Sequence, residues 1–473
     1  MTNPNEAELA REFAQRGLTR REIIAIGAGL GLAASSLSTV LALTEQEAFA
    51  QQSIFDKNEG ADGPWPKTAV PEPTSQITLA VAHAWDATFM ERQNQFDELF
   101  TSRHPNIKIA AENTTFADYL AKYTTQAAGG KLPDVMYTQF SWAQQLIEAK
   151  LFIALDDYIA KQPDFNLDDF TPQSLVSYRH DDKLWGIPYD EGPGNLYYNK
   201  DLFDAAGVGY PDDTWTLDTL KENAIKLTSG EGGDKIYGLG ALPYPGDALM
   251  APPYLFPFGA QYVNEPDETE CMISKPEAVQ AMQWWDELRT KGAVPNRDEM
   301  QTVAWPPFQF GKIAMYYEGS WATPPIRAGA KFNWDVAMWP KGPQKQSTFS
   351  AGSCYGITRD AKNTDAAWIY LNEYISTGGQ NYMWGITGRG SPARLSSWPS
   401  YLDSKFAPPG AKYIEQAMKT DASHDILDKP TGPMVTQTAG PIWDEVLAGN
   451  MSVEDGLNEV CAQIQPILDK NKG

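Results

Sequence analysis

A chain of 473 residues is long enough for two or more cores, which excludes a single small module. With 42% hydrophobic and 21% charged residues it has the composition of an ordinary globular protein, which excludes wholesale disorder. The formal charge of −23 repels phosphate backbones and anionic lipid, which excludes nucleic acid as a partner; its plain meaning is a soluble, abundant protein.

The chain opens on an address. Arg20-Arg21-Glu22 leads into 22 uncharged residues, Ile23 to Thr44, and a small-bulky-small exit follows at Ala48-Phe49-Ala50. Twin arginines before such a stretch signal export through the twin-arginine pathway, with removal near Ala50. The stretch could also span the roughly 30 Å of a bilayer, but Gly27, Gly29 and Gly31 dilute its hydrophobicity. Four arginines and six acidic residues leave with residues 1–50, so the mature charge is −21 against −23 for the whole chain. The mature protein is expected to be soluble in the periplasm.

Residues 51–75, rich in Pro and Gly, read as an extended linker. Ile77 to Ala82 then reads as a buried strand, His83-Ala84-Trp85-Asp86 as its exit loop, and Phe89, Met90, Gln93, Phe96, Leu99 and Phe100 as a helix. A second such unit comprises a strand at Asp134 to Tyr137, a turn at Thr138 to Trp142 and a helix from Ala143 to Leu151. Ligands of open α/β sheets bind beyond the carboxyl ends of the strands, so both exits are candidate site walls. Leu184 to Asn199 reads as two strand pieces about a Gly-Pro pivot, as in a crossing between lobes. Strands are expected at Ile313 to Tyr317, before Glu318-Gly319-Ser320-Trp321, and at Trp334 to Met338, with a return crossing at Ser353 to Thr358. Val453, Leu457, Val460, Cys461, Ile464, Ile467 and Leu468 form one helical stripe for packing on a second lobe.

Cys271, Cys354 and Cys461 lie far apart without a CxxC pair, so at most one bridge can form and no zinc site is indicated. His83, His104, His180 and His424 are scattered and no HExxH occurs. No metal or other cofactor is expected.

Several segments together resemble the extracellular solute-binding proteins of sugar-importing ABC transporters, the group similar to maltose-binding protein. They are Ile187-Pro188-Tyr189-Asp190 with Leu196 to Phe203, Gly311 to Met315, Gly319-Ser320-Trp321, and Ser350-Ala351-Gly352 followed by Ala366-Ala367-Trp368. The resemblance spans Gln76 to the C-terminus. It implies an α/β, two-lobed periplasmic-binding-protein fold of discontinuous lobes joined by a hinge of about three crossings. The implied lobes are 76–188 with 354–392, and 189–353 with 393–473. It also implies a monomer that closes on a carbohydrate or polyol and delivers it to ABC permease subunits.

Sugars offer apolar faces and a ring of hydroxyls, so aromatic platforms beside short polar groups suit them. Trp321 stands where relatives stack an aromatic on the sugar, Trp85 and Asp86 where they often place polar contacts, and Asp190 where they commonly place a carboxylate. Gln139 and Ser141 can donate and accept toward hydroxyls. Gly352 and Ser353 offer close backbone approach and a hydroxyl, and Glu318 and Arg389 complete the candidate site. The plainer alternatives are a core anchor for Trp321, a helix cap for Trp85 or Ser141, and a solvated loop for Arg389.

The rival class is a secreted carbohydrate-active hydrolase, which needs two facing carboxyl groups. Asp190 and Glu191 are adjacent on an extended segment and point to opposite faces, so they cannot act on one bond. No Gly-x-Ser-x-Gly, P-loop or dinucleotide motif occurs, and no enzyme is expected. A surface adhesin would show repeats, which are absent; capture of a non-sugar solute such as a polyamine stays open.

Overall fold

The computed structural model describes residues 55–85, 87–296, 299–300, 305–420, 422–423, 427 and 429–472, with isolated positions 9, 36 and 40. Apart from those positions, the twin-arginine segment, its apolar stretch and the exit near Ala50 lie outside the described residues, as does Asp86.

Eleven strands occur among the described residues: β1 (Ile77–His83), β2 (Ile107–Asn113), β3 (Val135–Gln139), β4 (Arg179–His180), β5 (Lys183–Leu184), β6 (Ile187–Asn199), β7 (Tyr237–Leu239), β8 (Ile313–Gly319), β9 (Trp334–Ala337), β10 (Thr348–Ile357) and β11 (Ala422–Ser423). Apart from the β4-β5 hairpin they join in the order β2-β1-β3-β10-β6-β8-β7, with β9 on β6 and β11 on β10. β1 runs parallel to β2 and β3, whereas β10 is antiparallel to β3 and β6. β3 is buried at all five positions, as a strand covered on both faces must be. Helices Ala87–Arg103 and Phe140–Glu148 follow β1 and β3, so both expected β-loop-α units are present. The second differs in detail. Its strand runs on to Gln139 and its helix starts at Phe140, which puts Ser141 in a helical first turn rather than a loop.

Two large cores flank the middle of this sheet. One gathers Leu79, Val81, Phe96, Val135, Trp368 and Trp384; the other gathers Phe203, Met282, Trp285, Trp339, Trp443 and Leu457. Both β6 and β10 feed the two cores in turn. Ile187 and Tyr189 enter the first and Leu196 and Tyr198 the second; Tyr355 and Ile357 enter the first and Phe349 and Ala351 the second. A third pass runs beside them, where Glu191 N–H donates to Ser391 O (3.1 Å) and Ala393 N–H to Tyr189 O (3.2 Å).

The segment 184–199 corrects one expectation: β6 is a single strand that runs straight through Gly192-Pro193-Gly194. These glycines provide close packing, not a turn. A Cβ at Gly192 would lie 2.5 Å from Ser320 Oγ and 3.3 Å from the Trp321 ring.

Residues 55–75 hold no helix or strand, yet they are a docked strap and not a free linker. Phe55 and Val70 are buried, and Trp65 packs on Phe96 and Tyr382. The Arg92 guanidinium lies 3.4 Å over the Tyr382 ring and donates to Asp56 O and Glu59 O, each at 3.1 Å. Composition alone reads as linker because these partners sit far along the chain.

The C-terminal helix, Val453–Leu468, packs its expected stripe into the second core and starts at Ser452, whose side chain accepts from Asp455 N–H. Cys461 on this helix is bonded to Cys271 (Cα–Cα 5.5 Å), while Cys354 is buried and unpaired. No described helix is long and apolar enough to cross a membrane.

Candidate functional site

A cleft of about 480 Å³ opens between segments attached to the two cores. Leu120, Phe140, Ser141, Trp142 and Gln145 form one wall, and Tyr244, Asp247, Gly432, Pro433 and Thr436 face them from the other. That volume lies within the usual 300–1,000 Å³ range for small-molecule sites. Its lining mixes aromatic rings with hydroxyl, amide and carboxylate groups and includes no Lys, Arg or His among the described residues.

Ser141 is the one expected residue that lines the cleft directly, and it accepts from the Gln139 side-chain amide. Gln139 is paired in register with Ser353, and Ser353 with Asp190, so a continuous line leads from the wall to the crossing strands. Asp190 Oδ1 accepts from Ser353 N–H (2.8 Å). Gly352 is required here because a Cβ would collide with Asp190 O. Burial pushes the Asp190 carboxyl up to about 7, against the opposing influence of the Ser353 N–H and the Arg389 charge. Adjacent Glu191 instead accepts from Ser350 Oγ, so the two carboxyls make separate contacts, as alternation on a strand requires.

Trp321 is half-buried in a 3₁₀ turn (Ser320–Ala322) after β8, stacked on Phe349 at 5.6 Å and 15°. Glu318, at the end of the same strand, accepts from Trp305 Nε1–H (3.1 Å), Tyr316 Oη–H (3.0 Å) and Gly319 N–H (2.9 Å). Burial raises its pKa; those three donors oppose the shift and the Asp247 charge adds to it. Asp247 is reachable from solvent yet ringed by protein, and that crowding raises its pKa against the Leu249 N–H.

Trp85 is buried to 7% exposure, with its Nε1–H donated to Gln93 Oε1 (3.2 Å) and its ring against Phe89, Tyr189 and Trp384. Arg389 lies over this group, 4.0 Å from the Phe89 ring and 5.0 Å from that of Trp85. These two therefore form an aromatic and cationic base beside Asp190, apart from the cleft walls.

Tyr244, Asp247, Trp142 and Thr436 were not among the expected site residues. Pro243-Tyr244-Pro245-Gly246-Asp247 carries a signal that could have found two of them, an aromatic and a carboxylate inside a turn-rich segment. The Tyr244 hydroxyl donates to Asp444 (3.2 Å), which fixes the ring on its wall.

Two α/β bodies joined by adjacent crossings, with a polar and aromatic cleft between their attached segments, define a two-lobed solute-binding protein. The model of the bacterial extracellular solute-binding protein family matches residues 95–405, about two thirds of the chain, and the protein belongs to that family. It is accordingly a binding protein and not an enzyme, with its place in the periplasm or outside the cell. A binding protein of Brucella abortus is 25% identical over 63% of this chain and 71% of its own length. A lactose-binding protein of Rhizobium radiobacter is 25% identical over 66% and 74%. An ABC substrate-binding protein of Listeria monocytogenes, solved in complex with cycloalternan, superposes with a TM-score of 0.72 at 23% identity, covering 83% of this chain and 99% of that one.

Proposed function

We propose that the protein is the substrate-binding component of an ABC importer. It captures a neutral, hydroxyl-rich solute, a sugar, polyol or glycoside, by closing its lobes, and delivers it to the membrane permease as a monomer. The carrying observation is the cleft itself: aromatic rings beside Ser, Thr, Gln and Asp side chains, with no cation among the described residues of its lining. Aromatic faces suit sugar CH faces, and the short polar groups suit hydroxyls. The lactose-binding relative favours the same class. The lobes exchange near residues 190–193, 350–353 and 391–393, and export proceeds through the twin-arginine route with removal near Ala50.

Trp321 is the stacking platform in this reading, with Gln139, Ser141, Asp190, Glu318 and Ser353 as hydroxyl partners. A ligand that binds only the folded state raises the melting temperature, so a thermal-shift screen over sugars and polyols tests the function. At least one carbohydrate is expected to shift wild type and to leave Trp321→Ala unshifted. A panel without any shift, or release of free sugar from a glycoside, would sink the proposal.

A further inference from the structure

Phe116, the first residue of helix Phe116–Ala128, leaves 54% of its surface exposed. Its ring lies against the Trp142 ring, with centroids 4.9 Å apart and planes at 30°. Trp142 in turn lines the cleft and is backed by Tyr119 (6.2 Å, 13°), which is itself buried. Leu120, one turn on from Phe116 on the same helical face, also lines the cleft. One run of apolar surface therefore leads out of the cleft over Trp142 and ends on an open aromatic face. Nothing on the protein side needs that ring in solvent, and an exposed aromatic continuous with a binding cleft is the mark of a contact surface.

We propose that Phe116 and Trp142 form an outer subsite for a further sugar ring, so that the captured solute is an oligosaccharide of two or more units instead of a monosaccharide. The inference rests on the sugar-binding reading above. The occupant follows from continuity: whatever fills the cleft and extends past Trp142 meets Phe116 next, and a pyranose presents the flat CH face that an open ring accepts. The exposed ring costs the inner subsite nothing, so its contribution is confined to longer ligands.

Isothermal titration with matched mono-, di- and trisaccharide series built from glucose, galactose and mannose tests this, after thermal shift has identified which series binds. In the binding series, affinity is expected to rise with length. Phe116→Ala is expected to weaken the longest ligand roughly 3- to 10-fold and to leave the monosaccharide unchanged, the size of an aromatic contact. Phe310→Ala, which removes an equally open ring (53% exposed) before the opposite end of β8 from Glu318, serves as the control and is expected to change neither. Equal affinity for all lengths, or equal effects of Phe116→Ala on short and long ligands, overturns the outer subsite while sugar binding stands. Loss of import with unchanged affinities in Phe116→Ala also overturns it and assigns the ring to the permease. If none of these series binds while another sugar or polyol shifts the protein, the outer subsite falls and solute capture stands; if nothing in the sugar and polyol panel shifts it, the reading itself has failed and the subsite falls with it.

Discussion

Asp190 joins the chemistry of the site to that of the crossing strands, and its protonation makes the proposed contact testable. A carboxylate that accepts hydroxyls binds best when ionised, and burial holds this carboxyl near 7. Affinity for a neutral sugar is therefore expected to fall roughly tenfold as pH drops from 8 to 5, measured by titration calorimetry. Asp190→Asn keeps an acceptor and removes the titration, so its affinity should be lower at pH 8 and flat with pH; the same slope in both proteins would sink the contact. Unfolded, the carboxyl titrates near 3.8. The cost of its burial is accordingly absent below about pH 4 and grows as pH rises to about 7. At this scale the sequence was informative where a polar residue follows a strand, since strand exits converge on a cleft; Ser141, expected at such an exit, lines the cleft, and Gln139 donates to it. Asp247 and Tyr244 escaped because their wall exists only once the second core has formed. The burial of Trp85 depends on Tyr189 and Trp384, which no local pattern connects to it.

Among the elements, the strap at residues 55–75 departs most from its sequence reading, and it is held by charge as well as by Trp65. His104 Nδ1 meets the Glu72 carboxylate and Nε2 meets Glu373 (2.8 Å), while Arg103 Nη2 holds Glu373 from the other side (2.6 Å). Burial opposes the charged imidazole, but the hydrogen bonds and charges of Glu373 and Glu72 outweigh it and raise the His104 pKa above 6.5. A raised folded-state value stabilises fully below the unfolded pKa and is lost as pH rises through the folded one. The strap is thus expected to loosen toward alkaline pH. Hydrogen exchange of residues 65–75 should speed up between pH 6 and 9 beyond its intrinsic base catalysis, and His104→Ala should show the loosened rate at both. Equal protection factors in the two proteins across that range would refute the tether. The regular elements were far more legible, because β1, β3, β8 and β9 are short apolar runs bounded by turn residues, a local property. β6 was misread at Gly192-Pro193-Gly194 for the converse reason: Gly192 makes room for Ser320 and Trp321 and Gly194 for Tyr317 and Thr348, partners supplied by segments distant in the chain.

Across the whole molecule, the hinge depends on each core holding together while the crossings bend, and the second core is assembled from segments as far apart as Tyr198 and Leu468. Such a body loses much chain entropy on folding, and its disulfide acts on that cost. The bond ties Cys271, just before helix Pro276–Thr290, to Cys461 on the C-terminal helix, closing a loop with a sequence separation of 190. Three scattered cysteines limited the number of bridges to one without choosing the pair, since the choice is made by the packing of a terminal helix against a segment 190 residues earlier. Such a bond belongs in an oxidising compartment, in keeping with a periplasmic or extracellular family. Closing a long loop constrains the unfolded chain, with a typical effect of about 2–5 kcal/mol. The Cys271→Ser, Cys461→Ser double variant is therefore expected to lose about that much stability in urea unfolding. Dithiothreitol should lower the melting temperature of wild type toward that of the variant and leave the variant where it is. If reductant shifts neither protein, the two cysteines are not bonded, and the second lobe must be held by its apolar core alone.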